Sequence, residues 1–411
     1  MNRSRGILAL ALVVAGALAG IPGLALAGVL VALTSLLTEL WSRFGLRRVQ
    51  YQRILTRDRA VWGDEIPLDV AVWNDKPLPL AWLAVDDFVT EGASMGGAVL
   101  EPSDRPGLSV LHSVWTVGWF ERVVRHLWIR ADHRGTYELG PVKVTVADLF
   151  GRGAATEEHV DRTTYIVRPR SVPVRHEGSE QISMGTLRAR QSLFEDPSLF
   201  AGVRPYQPGD SQRRIHWRAT ARVGMPVTKR FDPSRARDVL IALDVQTVPG
   251  PHWALHFDEP LLESLIVATA SLARQAIAEG AAVGLTAAAY TRTIERTVYL
   301  PTSGGQDQLA RIADVLGRLS QTPSAPFELI LSALPQRLAQ GTTVLVVSGR
   351  DPGPLLPVLR RLDASGYPVD YVALGPLAAA AAARVRGAGL VARLATLSPD
   401  WKTSDALVLA G

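Results

Sequence analysis

Near its N-terminus the sequence contains a long run that carries no charge. Between Ile7 and Leu37 no side chain is charged. As one straight helix this run would extend roughly 46 Å, whereas the hydrocarbon core of a membrane is about 30 Å thick. Pro22-Gly23 interrupts the run, and both residue types break helices. The run therefore predicts a transmembrane hairpin over residues 1–45, with spans at about 6–20 and 24–41.

Basic residues flank both ends of this run. Arg3 and Arg5 precede the first span, and Arg43, Arg47 and Arg48 follow the second. Because basic flanks stay on the cytoplasmic side of a membrane, both ends of the hairpin are expected in the cytoplasm. We therefore predict a multi-pass protein of the bacterial inner (cytoplasmic) membrane, with its soluble domains facing the cytoplasm.

Two other interpretations of the run remain open. Ala25 and Ala27 have the spacing that a signal peptidase requires, so a cleaved signal peptide also fits. One long, tilted span is the third interpretation. The hairpin is favoured because the apolar run continues past Ala27 to Leu37 and then ends at basic residues.

The composition of the whole chain is that of a globular protein with an added membrane segment. At 411 residues, with 47% hydrophobic and 20% charged residues, it is long enough for two or three domains. It has no cysteine, which excludes thiol nucleophiles and thiolate zinc sites. Its 44 basic residues are interspersed with 39 acidic ones, whereas nucleic-acid-binding proteins cluster basic residues on one face. We therefore expect no nucleic-acid partner.

Residues 50–170 are predicted to form an antiparallel β-sandwich. Short segments rich in valine and aromatic residues, such as Val70–Trp73 and Ala81–Val89, alternate with turns that contain glycine and proline. Strands at this spacing are typical of a sandwich. The next segment, 171–236, is rich in arginine and poor in apolar runs, and we interpret it as a linker that carries a motif.

Residues 237–411 have the pattern of an α/β domain. Buried strands such as Asp238–Asp244 and Thr342–Ser348 alternate with helical runs such as Glu259–Ala278. Continuous apolar strands separated by helices of this length indicate a parallel sheet covered on both faces. We therefore predict a doubly wound α/β domain. For the whole chain, the prediction is a multidomain fold of transmembrane α-hairpin, antiparallel β-sandwich and α/β domain.

The most specific motif in the chain runs from Phe194 to Phe231. It reads FEDPSLFAGVRPYQPGDSQRRIHWRATARVGMPVTKRF. This segment resembles domain of unknown function family 58. The positions that match the family pattern are Phe200, Gly202, Arg204, Tyr206, Pro208, Gly209, Asp210, Arg213, Arg214, Ile215, Trp217, Ala219, Thr220, Ala221, Arg222, Lys229 and Phe231. Upstream, Arg134–Pro141 and Asp148–Gly151 are also similar to that family.

The resemblance implies both a fold and a role. Members of the family are von Willebrand factor A-like, so a doubly wound domain of that type is expected. Such proteins are typically encoded beside MoxR-type AAA+ ATPases. This implies a membrane-anchored adaptor or assembly factor that contacts that ATPase and client proteins. No enzyme activity and no cofactor are expected.

The first half of the motif predicts a turn followed by a short helix. Pro208-Gly209-Asp210 forms the turn, and Asp210 is expected to cap the helix. Trp217 is expected to pack inward. The arginines then fall at near-helical spacing and point partly to one side; they are Arg213, Arg214, Arg218 and Arg222.

These arginines permit three interpretations. In the favoured one they pair with Glu195, Asp196 and Asp210 and lock the sandwich onto the α/β domain. In the second they form a docking face for an acidic partner. In the third they bind phosphate or an anionic headgroup, because guanidinium groups recognise such anions.

The α/β domain is expected to lack the metal site of von Willebrand A domains. In those domains the first strand ends in Asp-x-Ser-x-Ser, and the hydroxyls help to hold magnesium. Here Asp244 is retained, but Gln246 and Val248 replace the serines. A later strand ends at Ser348, and Arg350 follows it, where a positive charge would repel a divalent ion. We therefore predict a degenerate site and no bound metal.

Two alternative functions are weighed against the adaptor. Gly92–Gly96 matches Gly-x-Ser-x-Gly, the nucleophile elbow of hydrolases, with Ser94 as nucleophile. The elbow requires a helix after the serine, and no helical pattern follows, so a glycine-rich loop is the favoured interpretation. The other alternative is an exported, metal-dependent adhesion protein of the von Willebrand A type.

Overall fold

The computed structural model describes residues 3–147, 154–177, 195–206, 215–233, 238–253, 256–291, 297–397 and 401–411. The chain divides into two compact units, Met1–Arg168 and Pro169–Gly411. The first unit contains two apolar helices and a β-sandwich, and the second contains the α/β domain. Several sheets, an N-terminal helical region and an α/β unit confirm the predicted multidomain architecture.

Two helices, α1 (Arg3–Leu18) and α2 (Pro22–Phe44), form the N-terminal hairpin. Proline occupies the first helical position of α2, where its missing N–H costs nothing. Glycines let the two backbones approach closely: a Cβ on Gly16 would lie 2.4 Å from the amide nitrogen of Ala25. Small residues at such contacts are typical of helix pairs in membranes. The two helices are separated at residues 19–21, and Pro22-Gly23 begins the second helix.

Two helices of the described chain are long and apolar enough to cross a membrane. In the first, Pro22–Trp41, only 6% of the residues are buried. The second, Glu259–Ala278, is 78% buried, because it is the central helix of the α/β unit. The apolar part of α1, Ile7–Leu18, is shorter. Membrane association is therefore supported by the N-terminal helices and not by the buried one.

The sandwich consists of two sheets built from eleven described strands. The strands are β1 (Val49–Leu55), β2 (Arg59–Val61), β3 (Glu65–Asn74), β4 (Leu80–Thr90), β5 (Ser94–Gly96), β6 (Glu101–Pro102), β7 (Leu108–Val117), β8 (Arg122–Arg130), β9 (Gly135–Ala147), β10 (Ala154–His159) and β11 (Thr163–Arg168). One sheet has the order β1-β3-β8-β5, and the other has the order β2-β11-β9-β4-β7-β6, with β10 also paired to β9. All pairs are antiparallel except β2 with β11. Large side chains such as Trp115, Tyr165 and Ile66 fill the space between the sheets.

A buried ion pair joins the two sheets of the sandwich. Asp87 on β4 accepts hydrogen bonds from Arg53 Nη1 at 2.9 Å and from Tyr51 Oη at 2.7 Å, both on β1. The guanidinium of Arg53 also donates to the backbone oxygen of Asp161 at 2.6 Å. Burial raises the pKa of Asp87 to about 6, although the charge of Arg53 opposes the rise. The same burial raises the pKa of Tyr51 well above its usual value.

The raised pKa of Asp87 predicts that the sandwich becomes more stable as the pH falls. Because the pKa of Asp87 is higher in the folded state than in the unfolded state, its contribution is complete at low pH and is lost as the pH rises through about 6. Between about pH 7.5 and pH 5, the free energy of unfolding should rise by about 1 kcal/mol relative to Asp87→Asn. Thermal unfolding of both proteins at the two pH values measures the difference. Parallel pH dependence of the two proteins would contradict the assignment.

The second unit contains the remaining described elements. Its strands are β12 (Val174–Glu177), β13 (Glu195–Pro205), β14 (Val227–Pro233), β15 (Asp238–Leu243), β16 (Ala282–Ala287), β17 (Ala289–Thr291), β18 (Val298–Ser303), β19 (Leu319–Pro323), β20 (Thr343–Ser348), β21 (Val369–Leu374), β22 (Val391–Leu397) and β23 (Leu407–Ala410). Its helices are α3 (Trp217–Val223), α4 (Glu259–Ala278), α5 (Gln306–Arg318), α6 (Phe327–Ala333), α7 (Leu356–Ala364) and α8 (Ala378–Gly387), with a 3-10 turn at Leu334–Gln336.

An eight-stranded sheet forms the centre of this unit, in the order β12-β23-β22-β21-β20-β15-β16-β18. The five strands from β22 to β16 are parallel, and β18 and β23 run antiparallel to their neighbours β16 and β22. Alternate residues of β15 face opposite sides: Ile241 packs in the cluster around α4, and Leu240 packs in the cluster around α7 and α8. Both faces are covered, as the apolar strands predicted.

One assignment within the segment 171–236 was wrong. We interpreted the segment as a linker with a motif, but β12 lies in the central sheet, parallel to β23. The reason is its sequence, Val-Arg-His-Glu, which alternates in burial at a sheet edge and gives no continuous apolar run. Strands β13 and β14 form a separate two-stranded ribbon, as do β17 and β19.

Candidate functional site

The order of the central strands reverses between β15 and β20. From β15 the chain proceeds outward to β16 and β18 on one side, then returns to β20 on the other side. In doubly wound sheets, the crevice at such a reversal, at the carboxyl ends of the strands, is the usual binding position. Asp244 follows β15 here, and Ser348 ends β20. The backbone ties the two strand ends together, since Asp244 N donates to Val347 O at 2.9 Å.

The carboxylate of Asp244 is almost completely buried, with 1% of the residue exposed. Its Oδ2 accepts hydrogen bonds from Ser348 Oγ at 3.0 Å and from Arg350 Nε at 2.6 Å. Its Oδ1 accepts from the backbone N–H of Gln246 at 3.2 Å. The structure thus brings Asp244 and Ser348 together at the carboxyl ends of β15 and β20.

Arg350 neutralises this carboxylate from within the fold. Its Nη2 lies 3.0 Å from Glu328 Oε1 on α6, so the guanidinium bridges two acidic residues. Burial raises the pKa of Asp244, and the charge of Arg350 opposes the rise. The arginine therefore supplies the positive charge that the buried carboxylate requires. Sequence reasoning identified Arg350 but missed Glu328, because α6 reaches the crevice only through tertiary packing.

The residues that follow Asp244 are engaged in their own loop. The side-chain amide of Gln246 donates to the backbone oxygens of Val248 at 3.2 Å and Gly250 at 2.7 Å. The hydroxyl of Thr247, the residue after Gln246, accepts a hydrogen bond from Asp258 N at 2.8 Å. Asp258 in turn caps α4. Within the described residues, no group of three or more histidine, aspartate or glutamate side chains is placed to hold a metal ion.

The described residues of the arginine-rich motif form the β13–β14 ribbon and helix α3. Gly202 pairs with Arg230, and Arg204 pairs with Thr228, so both ends of the motif lie side by side. Tyr206 N donates to Pro226 O at 2.9 Å and closes the ribbon. Lys229 lies on β14, opposite Val203. The remaining predicted positions, Pro208, Gly209, Asp210, Arg213 and Arg214, lie outside the described residues, as does Asp148–Gly151.

Helix α3 lies between β13 and β14 in the sequence, and local hydrogen bonds hold it in place. His216 caps its first turn, with Nδ1 accepting from Ala219 N at 3.1 Å. Gly224 ends it in the left-handed conformation, at φ 76°. Thr220 Oγ1 accepts from Val227 N at 3.2 Å and ties the helix to β14. The helix is therefore held by its ends and by backbone contacts, and none of its residues is buried.

The prediction for Trp217 was wrong. We expected this indole to pack inward, but 69% of Trp217 is exposed. The expectation rested on the large apolar surface of tryptophan, whereas α3 is too short and too peripheral to have a buried side. Arg218, Arg222 and Val223 are exposed beside it. We call Trp217, Arg218, Arg222 and Val223 the α3 face.

The geometry around Ser94 is that of an edge strand. Ser94 begins β5, which pairs antiparallel with β8, and its Oγ accepts a hydrogen bond from Arg130 Nη2 at 3.1 Å. The favoured interpretation of Gly92–Gly96 as a loop was therefore incomplete. Gly96 is required because a Cβ there would overlap the indole of Trp128. A strand-to-helix elbow is not formed at Ser94.

The fold and the site define a multidomain protein with an apolar helical hairpin, a β-sandwich and an α/β unit that carries a buried ion-pair cluster at the carboxyl ends of its central strands. Residues 202–365 match the family model described as protein of unknown function DUF58. "Uncharacterized protein YeaD" of Bacillus subtilis (strain 168) is 25% identical over 244 residues, which are 59% of this chain and 56% of that protein. Both findings are similarities to the DUF58 family, the family that the motif resembles.

Two solved structures show a low similarity to parts of this chain. The CARDB domain of the PF1109 protein from Pyrococcus furiosus is 13% identical and covers 27% of this chain and 85% of that chain, with a TM-score of 0.18. A cohesin module from a family 33 glycoside hydrolase of Clostridium perfringens is 9% identical and covers 29% and 98%, with a TM-score of 0.21. At these TM-scores neither likeness bears on fold or function.

Proposed function

We propose that this protein is a membrane-anchored, non-catalytic adaptor or assembly factor that works with a MoxR-type AAA+ ATPase through protein–protein contacts. The observation that carries the proposal is the α3 face. It lies within the segment that matches the family, and its tryptophan and arginines are exposed instead of buried. Tryptophan and arginine are the residues that most often dominate protein–protein binding energy. An arginine-rich face also suits an acidic partner surface.

The α/β unit supports the non-catalytic part of the proposal. Its sheet has the doubly wound order 3-2-1-4-5-6, counting β15 as the first strand and β18 as the antiparallel third. We propose that it is a von Willebrand A-like domain in which Arg350 takes the place of the metal ion. Contacts with client proteins would then be made by loops at the carboxyl ends of the strands, around Asp244 and Ser348, without a bridging metal.

The hairpin supports the membrane part of the proposal. Most of α2 is apolar and unburied, and exposed Arg47 and Arg48 follow it. By the rule that basic flanks stay inside, both soluble units lie in the cytoplasm of a bacterial cell, where an AAA+ ATPase can reach them. The two alternatives lack such an observation: β5 at Ser94 is an edge strand without an elbow, and Asp244 Oδ2 is already engaged by Arg350 Nε at 2.6 Å.

Arg222→Glu is expected to reduce capture of the ATPase by about tenfold or more, because it reverses one of the two positive charges of the α3 face. Tagged full-length protein is purified from detergent-solubilised membranes with ATP present, and the co-purified AAA+ ATPase is quantified by mass spectrometry. Arg311→Glu, the same charge change at an exposed position of α5, is the matched control and should leave capture unchanged.

Each other result of this experiment has a defined meaning. If the wild-type protein captures no AAA+ ATPase, the proposed partnership is wrong. If Arg222→Glu captures as much ATPase as Arg311→Glu, the partner does not use the α3 face. If Arg222→Glu alone lowers the unfolding temperature, the arginine has a structural role, as in the interpretation that the motif locks the two domains.

A further inference from the structure

The hairpin joins the sandwich without a flexible linker. Trp41, the last residue of the apolar span, is buried in the core of the sandwich, and Leu37 packs against the same core. Gly45, one residue past α2, is so close to β9 that a Cβ would lie 2.5 Å from Val146 Cγ1. Because the span ends inside the sandwich core, this end of the sandwich must lie at the membrane surface if α2 crosses a membrane.

The β7–β8 turn, Gly118–Glu121, is located at this same end by a chain of hydrogen bonds. Asp75 N donates to Arg48 O at 3.0 Å, four residues past the end of α2. The preceding residue, Asn74, donates from its side chain to Gly118 O at 2.6 Å, and its N–H donates to Glu121 O at 2.9 Å. Arg48, just past α2, is thus linked to Asp75, and the adjacent Asn74 is linked to the turn. The turn therefore lies at the end of the sandwich that α2 enters.

The turn presents two large apolar side chains to solvent. Trp119 is 69% exposed and Phe120 is 62% exposed. Phe120 has a φ of 52°, which is unusual for an aromatic residue, and its N–H donates to Lys76 O at 3.2 Å. A strained turn that holds two aromatic rings outward is costly in water, and it is explained if the rings have an apolar environment.

Other residues at this end have the character of a membrane interface. Exposed Trp73 lies one residue before the end of β3, and exposed Trp82 lies near the start of β4, opposite Ala147 at the end of β9. Arg122, at the start of β8, is exposed beside the turn. Aromatic belts with neighbouring arginines mark the headgroup level of membrane proteins, where the rings are half in the apolar phase.

We propose that the β7–β8 turn inserts Trp119 and Phe120 into the lipid headgroup region as a second membrane anchor beside the hairpin. This surface contacts the phospholipid leaflet, and Arg122 beside the turn interacts with anionic headgroups. The inference rests on the proposed membrane anchoring by α1 and α2. A second attachment point fixes how the sandwich is oriented on the membrane, because a domain held at one point can still tilt.

Single cysteines test this placement, because the chain has none of its own. Full-length Phe120→Cys, Val99→Cys and Leu30→Cys are labelled with an environment-sensitive fluorophore and inserted into phosphatidylethanolamine–phosphatidylglycerol nanodiscs with or without brominated acyl chains. Val99 is the matched control: it is apolar, 80% exposed and lies between β5 and β6, at the opposite end of the sandwich. Leu30 is exposed on α2 and reports on the hairpin.

The expected result is that brominated lipid removes most of the fluorescence at positions 120 and 30 and leaves position 99 unchanged. If position 30 is quenched while position 120 behaves like position 99, the second anchor is wrong and the hairpin anchor stands. If position 30 is not quenched, the membrane anchoring is wrong and the inference falls with it. Labelled Trp119→Cys repeats the measurement at the neighbouring ring and must agree with Phe120→Cys for the turn to be an anchor.

Discussion

Replacement of Arg350 by alanine is expected to destabilise the α/β unit by about 3–5 kcal/mol, the usual cost of breaking a buried ion pair from one side. Asp244 would remain buried beside Ser348 without a countercharge, and Glu328 would lose its partner. Burial already raises the pKa of Asp244 against the opposing charge of Arg350. Without the arginine this pKa must rise further.

The loss should depend on pH in a defined direction. A carboxyl whose pKa is higher in the folded state than in the unfolded state favours folding at low pH, and this contribution is lost as the pH rises through the folded pKa. Arg350→Ala should therefore be least destabilised in mild acid. The pH dependence distinguishes an unpaired carboxylate from a simple loss of packing, which would not vary with pH.

Hydrogen exchange of peptides from β15 and β20 measures the effect in the relevant unit, because a two-unit chain need not unfold in one step. The control is Asp244→Asn with Arg350→Met, which removes both charges and keeps the volume similar. Paired removal of buried charges is far less costly than removal of one partner. Equal losses in the single and double variants would show that charge pairing is not what Arg350 provides.

The elements that were predicted well are those whose signals are local. Helix α4 has the predicted bounds because Asp258 supplies a cap, Pro260 occupies its first turn, and a long apolar run follows. The strands β15 and β20 were predicted within one residue, because fully buried parallel strands are continuous apolar runs. In both cases a few neighbouring residues determine the structure.

The elements that were missed depend on contacts between distant segments. The strand β12 is polar and short, and only its pairing with β23 makes it a strand. The same holds for α6: nothing near Glu328 in the sequence indicates that it meets Arg350. The prediction for Trp217 was wrong for a related reason. Burial of an indole depends on whether other elements cover it, and no residue of α3 is buried.

The candidate site was therefore predictable in part. Asp244 and Ser348 could be placed together because parallel strands expose their carboxyl ends at one edge of the sheet, and neighbouring ends meet there. The ion-pair partner of Arg350 could not be inferred, since it comes from a helix outside the strand pattern. The exposure of the motif residues on α3 likewise could not be inferred, because it depends on the pairing of β13 with β14.

Gly140→Ala is expected to destabilise the sandwich by about 3 kcal/mol or more, because a backbone clash adds to an unfavourable dihedral angle. Gly140 belongs to the segment Arg134–Pro141, and it has a φ of 111°. A Cβ there would lie 2.2 Å from the backbone oxygen of Asp161 and 2.9 Å from Arg53 Nη2. Relief of this contact would move the carbonyl that Arg53 binds and would weaken its pairing with Asp87.

Gly63→Ala separates the two contributions to this loss. Gly63 lies between β2 and β3 of the same sandwich with a φ of 88°, and no atom lies within 4 Å of a Cβ placed there. Its substitution should therefore cost only the dihedral part, about 1 kcal/mol. Denaturant unfolding with hydrogen exchange at β1 and β9 compares the two variants. If Gly140→Ala were as stable as Gly63→Ala but captured less of the proposed ATPase partner, this segment would serve partner binding. A large loss of stability would instead show that the segment holds Arg53 and Asp87 in place between the sheets.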